Sequence, residues 1–323
     1  MLSPLLGPLV ARAQLAGKVW RIGYLGPSPE TAPLLLKAFL AGLEDLGYVE
    51  GRNIVVEYRW TNAGTRMNDD GVLLAHARDL VAHKVDVMAA SIDPAIRAAS
   101  QATNAVPIVM LNVSDPIELG LVKTLGRPGG NITGMTRLSP DLIGRNLQTL
   151  REVVPKASRM ALLMSASNTM SRSIVGQAQR AAQTLGVDLQ VFDLRSPADM
   201  EATFSEMKRK GVEALLVPDT GGGIFFTERV RLAELALAQR LPAIFANTEI
   251  VEAGGLISYS PPAPENYRHA AVFIDKILRG AKPGDIPVEQ PTKFELVINM
   301  RTAKALNLAL PRSLLIRADR LIE

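Results

Sequence analysis

Cysteine is absent from all 323 residues. That excludes disulfides, thiolate metal sites, cysteine nucleophiles and lipid attachment through a Cys. Histidine is scarce, at three residues: His76, His83 and His269. His76, Asp79 and His83 share one helical face at a spacing open to a metal, but a solvated amphipathic face is the simpler reading, and no metal is expected. No internal apolar run reaches the ~18 residues needed to cross a bilayer. The 36 basic and 32 acidic residues give a net charge of +4. They form no run of five or six Lys/Arg, so nucleic acid is not an expected partner. Gly-x-Gly-x-x-Gly after a strand, Gly-x-Ser-x-Gly and a Walker ending are all missing. Gly221-Gly222-Gly223 follows a strand pattern and reads as a flexible helix entry or a close approach to a ligand. No cofactor and no catalytic residue are expected.

What is present is an internal repeat. Val106-Pro107-Ile108-Val109-Met110-Leu111-Asn112 matches Leu241-Pro242-Ala243-Ile244-Phe245-Ala246-Asn247 at an offset of 135, and Gly120-Leu121 matches Gly255-Leu256 at the same offset. Arg21–Leu25 matches Arg159–Leu163 at 138, Leu46-Gly47 matches Leu185-Gly186 at 139, and Val85–Ala90 matches Val212–Val217 at 127. Two copies of one α/β unit imply two lobes with a ligand cleft between them.

Strand and helix patterns alternate, which argues for α/β architecture: two doubly wound parallel-sheet lobes joined by hinge segments. Expected first-lobe strands are 21–25, 53–60, 86–91 and 108–112; second-lobe strands are 159–165, 188–193, 214–217 and 243–246. Further strands are expected at 256–260 and 293–300. A single helix is expected over Ile224–Arg240. Gly126–Asn131 reads as the first crossing between lobes, with Pro261–Pro264 and Pro283–Pro291 as later junctions. The expected division is 18–133 with 257–287 for lobe 1, and 134–256 with 288–323 for lobe 2. Residues 1–17 read as the remnant of an export signal. Leu2–Val10 is apolar and Ala11-Arg12-Ala13 fits a small-x-small site, so cleavage before Gln14 and a periplasmic location are expected. Without a Cys to carry lipid, a soluble protein is the better reading than an anchored one.

Ligands of open parallel sheets bind at the carboxyl ends of strands. The residues there are Ser28, Ser91, Asp93, Asn112, Ser114, Asp115, Ser165, Asn168, Asp219, Thr220, Asn247 and Thr248. Short polar side chains also cap helices, and Asp93-Pro94 fits an N-cap followed by proline. Asp115 and Asp219 suit either a ligand ammonium or a cap. Asn112 and Asn247, the matched closing residues of the repeat, become opposite walls of a site. Tyr24, Phe225 and Tyr259 suit stacking on an aromatic ligand, with core packing the simpler role.

Pro287–Asn299 followed by Thr302-Ala303-Lys304-Ala305-Leu306 resembles the signature of the TrpX-like family of ABC transporter substrate-binding proteins. Leu46–Ile54, Asp115-Pro116, Arg127–Gly134 and Val251–Leu256 fit the same family, so the resemblance spans residues 18 to 323. It implies a type I periplasmic binding fold and a transport role. The chain would be a monomer that captures a small polar ligand, an amino acid or aromatic amino acid-like compound among the candidates. Its partners would be an ABC permease and its ATPase. A periplasmic sensor and a Rossmann-like enzyme are the alternatives. Ser165 stands where the family commonly has Asn, and Asp219-Thr220-Gly221-Gly222-Gly223 departs from its usual Asp-Pro.

Overall fold

The computed structural model describes residues 18–30, 32–61, 70–137, 141–165, 171–218 and 223–323. The first lobe runs β1 (Trp20–Gly26), α1 (Pro33–Asp45), β2 (Ile54–Trp60), α2 (Asp70–Ala82), β3 (Val87–Ala90), α3 (Asp93–Ala102), β4 (Ile108–Val113) and β5 (Ile132–Thr136). The second runs α4 (Leu142–Val153), β6 (Arg159–Ser165), α5 (Ser171–Leu185), β7 (Asp188–Leu194), α6 (Met200–Arg209), β8 (Ala214–Val217), α7 (Ile224–Thr227), α8 (Arg229–Ala238), β9 (Ala243–Phe245), α9 (Thr248–Glu252) and β10 (Ile257–Ser260). Helix α10 (Ala263–Leu278) packs back on the first lobe against α1 and β4. Then β11 (Glu295–Asn299), α11 (Met300–Ala305), α12 (Arg312–Arg317) and β12 (Arg320–Ile322) complete the second lobe.

The repeat is one of topology and register. The first sheet has the order β2-β1-β3-β4-β5, and β7-β6-β8-β9-β10 repeats that order inside the seven-stranded second sheet. Ile22 stands opposite Val87 as Met160 stands opposite Ala214, and Met88 opposite Ile108 as Leu215 opposite Ala243. These are the offsets of the sequence matches. Pro107 and Pro242 occupy equivalent places. Proline cannot donate to a ladder but can accept, and its carbonyl takes the N–H of Met88 at 2.8 Å in one lobe and of Leu215 at 2.9 Å in the other. Asp86 and Glu213 also match: each carboxylate accepts the amide at the start of the first strand of its lobe, Arg21 at 2.8 Å and Arg159 at 2.9 Å.

Each sheet is covered on both faces, so the strands read as apolar runs. Val87 and Ala89 face one core of the first lobe while Met88 and Ala90 face the other. Ala214 and Leu216 divide from Leu215 and Val217 in the same way. The second sheet is not wholly parallel, because β11 pairs antiparallel with β10.

Several expectations are corrected. Gly126–Asn131 is not a crossing. It leads into β5, and Gly129 donates to Gly284 at 3.1 Å, which pins it to the first lobe. The strand went unread because it is short and centred on Gly134. That glycine has φ +135°, and a Cβ there would lie 2.2 Å from the Met110 carbonyl oxygen, so only glycine fits. Residues 134–136 therefore stay in the first sheet, and 257–260 form β10 of the second, the reverse of the expected division at both points. The Gly120-Leu121 match also fails structurally, since Gly255-Leu256 leads into β10 and the counterpart of β10 is β5. The helix expected over Ile224–Arg240 breaks at Glu228 into α7 and α8. Helices α9 and α12 and strand β12 are not among the expected elements; each is six residues or fewer.

Each fifth strand is followed by a helix that packs on the opposite lobe: β5 leads to α4, and β10 leads to α10. A third crossing follows Glu289, whose backbone is still bonded to Gly134 and Thr136 of the first sheet at 2.9 Å each. Three chain crossings thus join the lobes.

Candidate functional site

A cavity of about 340 Å³ lies between the lobes at the carboxyl ends of their strands. Its first-lobe wall is formed by Pro27 after β1, Thr61 after β2, Ile92 after β3, Asn112 in β4, Arg137 after β5 and Tyr267 of α10. The second-lobe wall is formed by Phe226 of α7, Ala246 and Asn247 after β9, Thr248, Glu249 and Glu252 of α9, Ser260, and Arg320 of β12. Leu34 and Leu35 at the start of α1 give the mouth an apolar lip, with Leu34 exposed.

Of the twelve residues read from strand ends, Asn112, Asn247 and Thr248 line this cavity, and the two asparagines stand on opposite lobes. Ser91 and Asp93 lie behind the wall. Ser91 shares a buried hydrogen bond with the Tyr267 hydroxyl. Asp93 is 8% exposed and does not cap α3; Ile92 holds the N-cap position without a side-chain bond, in a left-handed conformation at φ +64°. A β-branched residue in that region is strained. The turn it makes sends the Asp93 carboxylate inward. There Oδ1 accepts the Ser114 N–H at 2.9 Å, Oδ2 accepts the Ser114 hydroxyl, and Oδ2 faces the Arg137 guanidinium at 3.5 Å. Ser114 therefore serves Asp93 rather than the cavity. Asp115 is a turn cap: its Oδ1 accepts the amides of Ile117 and Glu118 at 2.9 and 3.0 Å. Ser28 and Ser165 are buried at strand ends and are not part of the cavity lining. Asn168, Asp219 and Thr220 lie outside the described residues, as do Gly221 and Gly222.

Strand-end reading missed Arg137 and Tyr267. Arg137 is 4% exposed, and it follows the strand that went unread. Recognising β5 would have placed it on the rim by the rule that found the others. Tyr267 lies inside a helix, and nothing local in the sequence marks it. Burial pushes its hydroxyl up to about 12, while the Ser91 bond and the Arg137 charge pull the other way. Beneath it, the buried Tyr24 hydroxyl has no hydrogen-bond partner among the described residues. Tyr24 and Phe225 are core residues, and Tyr24 packs among Phe39, Tyr58 and Trp60. Tyr259 stacks on Phe294 at 5.5 Å. On the far wall Arg320 bonds Glu252 at 2.7 Å.

A second cavity of about 590 Å³ lies where α1, α10 and the third crossing meet. Its polar side chains pair with one another: Arg268 with Asp45 at 2.5 Å, His269 with Glu289 at 2.8 Å, and Lys293 with Glu265 at 3.3 Å. Asp79, the centre of the helical face that suggested a metal, accepts from Arg59 Nε at 2.6 Å. Among the described residues no three His, Asp or Glu side chains converge as a metal site.

The fold matches known proteins. A tyrosine-binding protein of Clostridioides difficile (strain R20291) is 28% identical over 272 residues, 84% of this chain and 76% of the relative. The crystal structure of an ABC domain in complex with L-Trp from Streptococcus pneumonia superposes with a TM-score of 0.84 and 26% identity, covering 94% of this chain and all of the other. A conserved domain protein from Vibrio cholerae O1 biovar El Tor gives 0.85 and 23% over the same shares, a likeness of fold. The two-lobed α/β architecture is that of type I periplasmic binding proteins. Residues 32–322 match the family described as ABC transporter substrate binding protein, and the chain belongs to that family.

Proposed function

We propose that this chain is the extracytoplasmic solute receptor of an ABC importer. It captures an amino acid, aromatic ones included, in the cleft between its lobes and delivers it as a monomer to a permease and its ATPase. The observation that carries this reading is the cleft itself, with walls drawn from both lobes and three chain crossings as the hinge. A ligand touching both walls favours the closed arrangement by its differential affinity for it. The volume of about 340 Å³ suits one small molecule. The relatives that bind tyrosine and tryptophan support the amino acid class. The apolar lip at Leu34 and Leu35, with Phe226 across the mouth, suits an uncharged side chain.

The test is a melting-shift and calorimetric screen against the proteinogenic amino acids, with small-angle scattering on any hit. A true ligand at a hundred times its dissociation constant adds about 2.7 kcal/mol of stability and contracts the particle. No shift with any amino acid, and none in the mass spectrum of small molecules released from the gently purified protein, would refute the reading.

A further inference from the structure

We propose that the first-lobe wall is a carboxylate subsite built on Arg137, with Asp93 as its positioning residue. This rests on the receptor reading and deepens it. Two side chains of this wall, Arg137 and Asn112, carry N–H donors. Arg137 is 4% exposed and lines the cavity, so its charge is displayed there rather than to bulk water. Asn112 lines the same wall, and with its Oδ1 accepting from Asn266 Nδ2 at 2.9 Å, its amide N–H is the group it brings as a donor. Tyr267 backs this wall, its hydroxyl held in a buried hydrogen bond with Ser91. A guanidinium and an amide N–H on one wall are complementary to an anionic acceptor, and the planar guanidinium fork matches a carboxylate.

The local backbone serves this arrangement. Arg137 is fixed at its amide, which donates to the Val113 carbonyl at 2.8 Å. The strained Ile92 turn aims Asp93 at Arg137, and Ser114 holds the carboxylate from its other side. Strain kept at a cavity wall is a feature of functional sites. The opposite wall carries Glu249 and Glu252. Arg320 of that wall bonds Glu252 at 2.7 Å, and the wall remains acidic in balance opposite Arg137, which has Asp93 behind it. A ligand with a carboxylate at one end and an ammonium at the other would bridge the two walls in one orientation.

The experiment is calorimetric titration of the full chain with matched probes: L-tryptophan, L-tyrosine and L-leucine, their primary amides, and the corresponding acids without the amino group. For the wild type, each acid is expected to bind at least about tenfold more tightly than its amide. Arg137→Gln should weaken the acids about ten- to a hundredfold and leave the amides unchanged, collapsing the acid-to-amide ratio. Asp93→Asn should lower the same ratio by a smaller factor, and Arg137→Lys should restore part of it. A residue that only supports the fold would weaken acid and amide alike. Equal wild-type affinity for acid and amide overturns the subsite even if amino acids bind. Binding of the acids without an amino group, lost in Arg137→Gln, upholds the subsite even if no amino acid binds and the receptor reading fails. No binding of any of these acids overturns the subsite, while the receptor reading stands or falls on the screen of all the proteinogenic amino acids. The wild-type comparison stands even if a variant does not fold.

Discussion

Replacing Gly42 by alanine should destabilise the protein, although glycine to alanine inside a helix ordinarily stabilises by up to about 1 kcal/mol. Gly42 lies in α1 where α10 crosses it, and α10 belongs to this lobe only because it packs there. A Cβ at residue 42 would sit 2.2 Å from the Arg268 carbonyl oxygen, 2.9 Å from its carbon and 3.0 Å from its Cα. Those are backbone atoms, so no rotamer change relieves the clash and the helices must separate. Overpacking of this kind costs about 1–3 kcal/mol. Against the propensity gain, the net loss is up to about 2 kcal/mol, a fall of up to roughly 8 °C in melting temperature at 2–4 °C per kcal/mol. Gly176, inside α5, is the control: among the described residues a Cβ there meets only Arg180 Nη1 at 3.5 Å. Gly176→Ala should therefore raise stability by about 0.5–1 kcal/mol. Urea titrations of both variants measure the two signs. If Gly42→Ala stabilises as much as Gly176→Ala, the close approach of α1 and α10 is wrong.

Other consequences follow from single residues. Asn299 caps α11, accepting the Thr302 amide at 3.1 Å while its Nδ2 donates to the Val251 carbonyl at 3.1 Å; Asn299→Ala should cost about 1–2 kcal/mol in a urea titration. The Arg159 and Ser158 amides and the Ser158 hydroxyl hold the Glu213 carboxyl below its ordinary range. A depressed carboxylate contributes stability above its unfolded pKa and loses it as pH falls through the folded value. The melting difference between wild type and Glu213→Gln should therefore be present at pH 7 and vanish on acidification below about pH 4. Asn112→Ala and Asn247→Ala should each weaken ligand about tenfold by calorimetry; unchanged affinity in both would leave the matched pair as a trace of duplication alone.

Much of the frame was legible because it depends on local pattern. Val85–Ala90 and Val212–Val217 are apolar runs bounded by turn residues. Their offset of 127 returned as the register of β3 and β8 against their neighbours. β5 was illegible because it is five residues long with Gly134 at its centre, and glycine weakens a strand pattern; the strand exists through its contact with Met110. The site was legible in part for the same reason. Asn112, Asn247 and Thr248 follow strands that pattern revealed, whereas Arg137 follows the one it hid.

The sequence by itself determined two repeated α/β units, the register within each, and a polar rim at the strand ends, because periodicity and offsets are properties of the chain read in order. Only the tertiary structure decided which side chains share one space. Asp93, Ser114, Arg137 and Tyr267 span 174 positions in sequence and meet behind or on one wall. That meeting depends on α10 crossing back to the first lobe. The return is set by the fit of Gly42 against the backbone of Arg268, a contact between distant segments that no local pattern encodes.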